Sequence, residues 1–278
     1  MAYSQLLSSQ DPGCILILID QSSSMDDPYG GAAGGKKKTE CARAVNRVLR
    51  EIVLCCSPGE RVKDRCYIGV IGYGPSVASA FLGPLTRRDL VKVSEVANGA
   101  IRVDKVKQKV SDGAGGLVEV ENPFPIWIEE VADDGTPMDE AFVLAARWVS
   151  DWISQHANSF PPIVINITDG EPNKPDDTRA TAQTLMKLQT NDGNLILINA
   201  HISDKTSGEV ALPEQDNNLP DEFARLLFDI SSILPDRMLQ EAKAVGFNPG
   251  PKARGFVYNA NAETLIKLLA FGSNPGLR

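Results

Sequence analysis

A chain of 278 residues with 42% hydrophobic and 23% charged side chains has an ordinary globular composition, long enough to bury a core without disulfide or metal staples. Its 28 basic and 36 acidic residues leave a formal charge of −8, which argues against a general nucleic-acid binder. The start MAYSQLLSSQDPG lacks the charged and apolar regions of a secretory signal, and no apolar run approaches the roughly 20 residues of a membrane helix.

In chain order, the first element is the apolar run CILILID (14–20), which breaks off into DQSSSM (20–25). One carboxylate followed by three hydroxyls is a poor turn, since turns favour Gly, Asn or Pro, but a good set of oxygen ligands. The basic run Lys36-Lys37-Lys38 follows GGAAGG and reads as a solvated, mobile loop. Thr39 to Cys56 then has helical spacing, with Ala42, Val45, Val48, Leu49, Ile52 and Val53 on one stripe. CYIGVIGYG (66–74) is a second buried strand, and Phe81-Leu82-Gly83-Pro84 is expected to return as a short antiparallel edge strand. The stretch 86–130 mixes helix and strand signals, with a loop at SDGAGG and a strand at Leu117 to Glu121.

A helix is expected from Met138 to Ile153, with Thr136 as N-cap and Pro137 as its first residue. PPIVINITDG (161–170) is a third strand, ending in Asp169. Another helix follows over Asp177 to Leu188, capped by Asp176 or Asp177, and then the strand GNLILINAHI (193–202). A loop-rich stretch to Asn218, helices near 221–230 and 235–245, a short strand GFVYNA (255–260) and a helix over 262–270 complete the chain.

Apolar strands that do not alternate are buried on both faces, and strands alternating with helices form a parallel sheet. The expected fold is therefore α/β: a doubly wound, mostly parallel sheet with helices on both faces and one short antiparallel edge strand. No linker or repeat appears, so one domain spans 1–278, with an insertion near 86–130 and a helical extension from about 221. Cys14, Cys41, Cys55, Cys56 and Cys66 form no CxxC pair and lack His at zinc spacing. Free thiols of this kind fit a reducing, cytoplasmic setting.

Ligands bind beyond the carboxyl ends of the strands in such sheets. The loops there offer Asp20, Ser22, Ser24, Thr136 and Asp169 around one point. This all-oxygen set, with only two carboxylates, suits a hard cation: Mg²⁺, with Mn²⁺ or Ca²⁺ as alternatives. Neutral hydroxyl ligands leave the ion much of its charge, and it would attract a further Asp or Glu from a protein partner. Asp133, Asp134 and Glu171 read as a solvated acidic rim, and His156, His201, Trp127, Trp148 and Trp152 as packing residues.

DQSSSM, GTPM and TDG resemble the D-x-S-x-S…T…D pattern of von Willebrand factor A domains. The resemblance implies a metal-ion-dependent adhesion site in which Asp20, Ser22 and Ser24 match the first loop, Thr136 the second and Asp169 the third. Ser23 stands where that family often has Gly, and the insertion after Ser24 is long. PFPIWIEEVADDGTPMDEAF, SFPPIVINITDGEPN, LLFDISSILP and ARGFVYNA are similar to a bacterial intracellular branch, the TerY-type proteins. That likeness implies partners such as a protein kinase and a Ser/Thr phosphatase in stress or defence systems. Self-assembly is a further option, through an acidic residue of one copy completing the site of another.

Two rival functions follow from the same residues. Asp20 could be the nucleophile of a metal-dependent phosphatase of haloacid-dehalogenase type, with Asp169 on the ion. That chemistry wants a second acid two residues on, where Ser22 stands, so an enzyme is not expected. The other rival is a scaffold whose site is vestigial.

Overall fold

The computed structural model describes residues 2–30, 35–59, 61–111, 117–203 and 208–273. Most of the glycine-rich stretch after Pro28 and of the SDGAGG loop lies outside these residues. The chain begins with β1 (Gly13–Asp20), a one-turn 3-10 segment over Ser23–Asp26, and α1 (Lys37–Cys55). Next come β2 (Cys66–Tyr73), β3 (Val77–Ser79), β4 (Val91–Lys92), α2 (Val93–Asn98), β5 (Arg102–Ser111) and β6 (Leu117–Ile126). The middle of the chain forms α3 (Met138–Gln155), β7 (Ile163–Thr168), α4 (Pro175–Leu185), β8 (Gln189–Thr190), β9 (Gly193–Asn194) and β10 (Ile196–His201). It closes with β11 (Val210–Ala211), α5 (Glu222–Asp229), α6 (Asp236–Ala244), β12 (Phe256–Tyr258) and α7 (Ala262–Gly272).

The main sheet runs in the order β11-β12-β10-β7-β1-β2-β3, with β4 also pairing β2. Its centre is parallel from β12 to β2, while β3, β4 and β11 are antiparallel additions. Side chains alternate across each strand, and here both faces are covered. Ile15, Ile17 and Ile19 of β1 face a core built with α1, α2, α6 and α7. Cys14, Leu16 and Leu18 face a second core built with α3, α4 and α5. This is a doubly wound α/β layer. Residues after 221 supply β12 to the sheet and helices to both faces.

Three sequence expectations shift. The antiparallel neighbour of β2 is Val77–Ser79, whereas Gly83–Leu85 turns as a 3-10 segment. Gly83 has φ +60, a left-handed conformation that fits a turn rather than a strand. Helix α3 starts at Met138 with Pro137 at the cap position, one residue later than expected, and Thr136 makes no cap. Helix α4 starts at Pro175, so Asp176 and Asp177 lie in its first turn, where carboxylates oppose the positive end of the helix dipole, rather than at the cap.

The mixed signals of 86–130 resolve into both kinds of element, and the strand expected at Leu117 to Glu121 is the first half of β6. The segment forms β4, α2 and the long antiparallel pair β5–β6. Buried Asn46 of α1 ties its end down: Oδ1 accepts from Trp127 N at 2.8 Å, and Nδ2 donates to Ile128 O at 3.0 Å. Trp127, Trp148 and Trp152 are all buried, as packing residues should be.

A polar row crosses the sheet below its carboxyl edge. Tyr73 Oη donates to Asn166 Oδ1 (2.7 Å), Asn166 Nδ2 to Asn199 Oδ1 (3.0 Å) and Asn199 Nδ2 to Ser231 Oγ (2.9 Å). All four residues are buried. Removing Asn199 leaves Asn166 Nδ2 with only the Met138 sulfur at 3.7 Å, at about 1–3 kcal/mol for a poorly paired buried group, and opens the space of the lost amide. Asn199→Ala is therefore expected to destabilise the protein by at least about 2 kcal/mol in denaturant unfolding. A change within about 0.5 kcal/mol would mean that the row contributes nothing.

Candidate functional site

Strand register delivers the site residues. Ile19 lies opposite Ile167 of β7, and Asp20 lies opposite Tyr73 of β2, so β7, β1 and β2 end side by side. Both loops leave at the carboxyl edge where the order of strands reverses, which is where open α/β sheets bind ligands.

Asp20 is fully buried. Its Oδ1 accepts from Ser22 N at 2.9 Å and its Oδ2 from Thr168 Oγ1 at 2.7 Å. Burial, with the neighbouring charge of Asp169 in support, pushes its carboxyl up to about 6, against the hydrogen bonds that favour the ionised form. Ser22 Oγ and Ser24 Oγ are 3.1 Å apart, and Ser24 Oγ donates to Asp169 Oδ1 at 2.8 Å. One chain of polar contacts thus runs through Asp20, Ser22, Ser24 and Asp169.

Thr136 is brought to the same edge through its loop. Ser23 N donates to Asp134 O (2.9 Å) and Asp133 N to Gln21 O (2.7 Å), which laces the second loop to the first. Asn173 links it to the third: its Oδ1 accepts from Thr136 N at 3.0 Å, and its N donates to Thr136 O at 3.0 Å. Gly74 makes this packing feasible. A Cβ there would sit 2.7 Å from the Gln21 carbonyl oxygen and 3.0 Å from that of Asp133. Asp133, Asp134 and Glu171 are exposed, as the acidic rim requires. His201 stacks on Tyr258 at 4.6 Å, and His156 packs against Trp152 at 4.8 Å.

Lys37 corrects the reading of the basic run. It is the first residue of α1, only 6% exposed, and its Nζ lies 2.8 Å from Asp169 Oδ2. The residues that flank 31–34 are tied to one another, although the Lys36 side chain remains exposed. Tyr29 N donates to Gly35 O, Lys37 N donates to Asp27 O, and Lys36 and Lys38 both pair with Asp26 at 2.8 and 2.7 Å. These lysines hold the Asp26 carboxyl down to about 2. Charge complementarity between Asp26-Asp27 and the three lysines was the available sequence signal. Thr168 and Asn173 were also missed; nothing marks a strand-end threonine as a partner of Asp20 before the register is known.

The donor set fits a hard divalent cation in chemistry. It is all oxygen, two of its members are carboxylates, and the hydroxyls of Ser22 and Ser24 are already within hydrogen-bond distance of each other, while Thr136 is held at the same edge through its backbone. Among the described residues no group of three or more His, Cys, Asp and Glu could hold a metal ion, so a cation here would depend on hydroxyl donors. No helix among those residues is long and apolar enough to cross a membrane.

No family model and no curated protein matches the chain. Among solved structures, manganese-loaded TRAP protein from Plasmodium vivax aligns with TM-score 0.47 and 13% identity, covering 93% of this chain and 72% of its own. Proximal thread matrix protein 1 of the mussel byssus, with a zinc-occupied MIDAS motif, aligns with TM-score 0.34 and 17% identity, over 71% of this chain and 39% of that one. The ArnB paralog VWA2 from Sulfolobus acidocaldarius gives TM-score 0.33 and 14% identity, over 70% and 35%. This chain spans less than half the length of the last two.

The buried Asp20 has a signature in pH. Its folded-state carboxyl titrates at about 6 rather than 3.8, so stability it lends when protonated is lost as pH rises through that window. In EDTA, Asp20→Asn is expected to raise the unfolding midpoint at neutral pH, with the gain shrinking as pH falls below 6. Midpoint differences independent of pH would show that Asp20 ionises normally.

Proposed function

We propose that this chain is a protein-interaction module of von Willebrand factor A type, not an enzyme. In this reading Asp20, Ser22, Ser24, Thr136 and Asp169 hold Mg²⁺, and a partner's Asp or Glu completes the coordination. The observation that carries it is the hydrogen-bonded chain Asp20–Ser22–Ser24–Asp169, assembled from two loops at the carboxyl edge of the sheet. The ion, when bound, supplies positive charge that neutral hydroxyls do not cancel, and so a demand for an external carboxylate.

The chain's own residues do the rest. Thr168 fixes the Asp20 carboxylate, Asn173 fixes the Thr136 backbone, and Gly74 lets the first two loops approach. Movement of the Thr136 loop would alter affinity for the partner. A phosphatase is disfavoured because Ser22, whose hydroxyl is near that of Ser24, stands where a general acid is needed. A kinase and phosphatase as partners, in a bacterial stress or defence system, follow from the sequence resemblance alone.

Thermal unfolding in Mg²⁺ against EDTA tests the site. An ion present at about 100 times its dissociation constant adds roughly 2.7 kcal/mol of stability. Wild type is expected to show this shift at saturating Mg²⁺, and Asp20→Ala to lose it. Equal shifts in both proteins would place the ion elsewhere; no shift in wild type at any concentration would favour a vestigial site.

A further inference from the structure

Lys37 has no part in the function proposed above, yet it is built into the same site. Lysine is almost never this buried unless it is paired. Its ammonium is 2.8 Å from Asp169 Oδ2, 3.4 Å from Ser24 O and 3.8 Å from Asp27 Oδ2. Four further contacts set this position: the Pro28–Lys36 bridge, the hydrogen bond from Lys37 N to Asp27 O at 3.1 Å, and the ion pairs of Lys36 and of Lys38 with Asp26.

The two oxygens of Asp169 are divided between neighbours. Oδ1 takes the Ser24 hydroxyl, on the side of Ser22 and Asp20, and Oδ2 takes the ammonium. The lysine therefore shares the Asp169 carboxylate with the oxygen donors. With Lys37 included, Asp20 and Asp169 present one net negative charge instead of two. A cation at such a site meets less attraction, and a loaded site carries more unbalanced positive charge.

We propose that Lys37 is a tethered counter-ion that weakens the site's hold on a bare divalent cation and strengthens its demand for an anionic ligand. It also pins Asp169 and the start of α1 together when no ion is bound. This inference rests on the metal-site reading above. A neutral side chain of similar length should therefore tighten cation binding and loosen the ion-free protein, two effects in opposite directions. A lysine serving only to pack α1 would produce the second without the first.

The test is Mn²⁺ titration followed by electron paramagnetic resonance, on wild type, Lys37→Met and Lys37→Gln, with unfolding midpoints in EDTA. Two variants guard against one that fails to fold. Each is expected to bind Mn²⁺ on the order of tenfold more tightly than wild type, from the loss of one nearby positive charge. Each should also have a lower midpoint in EDTA, and adding Asp20→Ala should abolish the tight binding. Unchanged or weaker Mn²⁺ binding in both variants would overturn the role of Lys37 while leaving the metal site standing. Absence of site-specific binding in wild type and variants alike would instead remove the metal reading, and this inference with it.

Discussion

A carboxylate with no solvent exposure, at the end of a central parallel strand, is the constraint around which this edge of the molecule is arranged. Isolated burial of a carboxylate charge is costly, and the chain answers with directed hydrogen bonds from Ser22 N and Thr168 Oγ1. Those bonds fix the exit of the first loop. That exit in turn sets where Ser22 and Ser24 project, and Ser24 joins the first loop to Asp169 of the third. The second loop is stitched to both by backbone hydrogen bonds and by Asn173. Around Asp20, then, three separated pieces of sequence, carried to one edge by strands and helices packed in the two cores, are joined to each other by polar contacts.

The sheet below supplies the rigidity such a site needs. Its central strands are buried on both faces, so their register is fixed by two cores at once. The row from Tyr73 through Asn166 and Asn199 to Ser231 adds directional contacts between β2, β7, β10 and the turn after α5. Polar residues in such a row cost more to leave unpaired than they gain by pairing, and this favours a single arrangement. Lys37 adds a second ionic element, since it balances part of the site's negative charge from within the chain.

Much of this was legible in the sequence because its signals were local. The runs CILILI and IVINIT have no polar alternation, and they became the central parallel strands β1 and β7. The helices expected over 138–153, from apolar spacing and the Thr136-Pro137 start, and over 262–270 are α3 and α7, each two residues longer at its end. Asp20, Ser22, Ser24 and Asp169 could be nominated because strand ends in parallel sheets gather at one edge, and the structure does bring those four together. What was not legible depended on contacts distant in sequence. Lys37 meets Asp169 across 132 positions, a contact that no local pattern announces. Thr168 became visible as a partner of Asp20 only through register. The edge strand was misplaced because Phe81 and Leu82 look more apolar than Val77-Ala78-Ser79, although the latter pair with β2.

The central claim is that these oxygen donors hold a divalent cation. The most direct measurement is a crystal structure grown with excess Mn²⁺, with anomalous scattering recorded to locate the metal. The account predicts an anomalous peak within coordination distance of Ser22 Oγ and Ser24 Oγ, beside the carboxylates of Asp20 and Asp169. A fully occupied Mn²⁺ elsewhere in the molecule, with Ser24 still donating to Asp169, would contradict it.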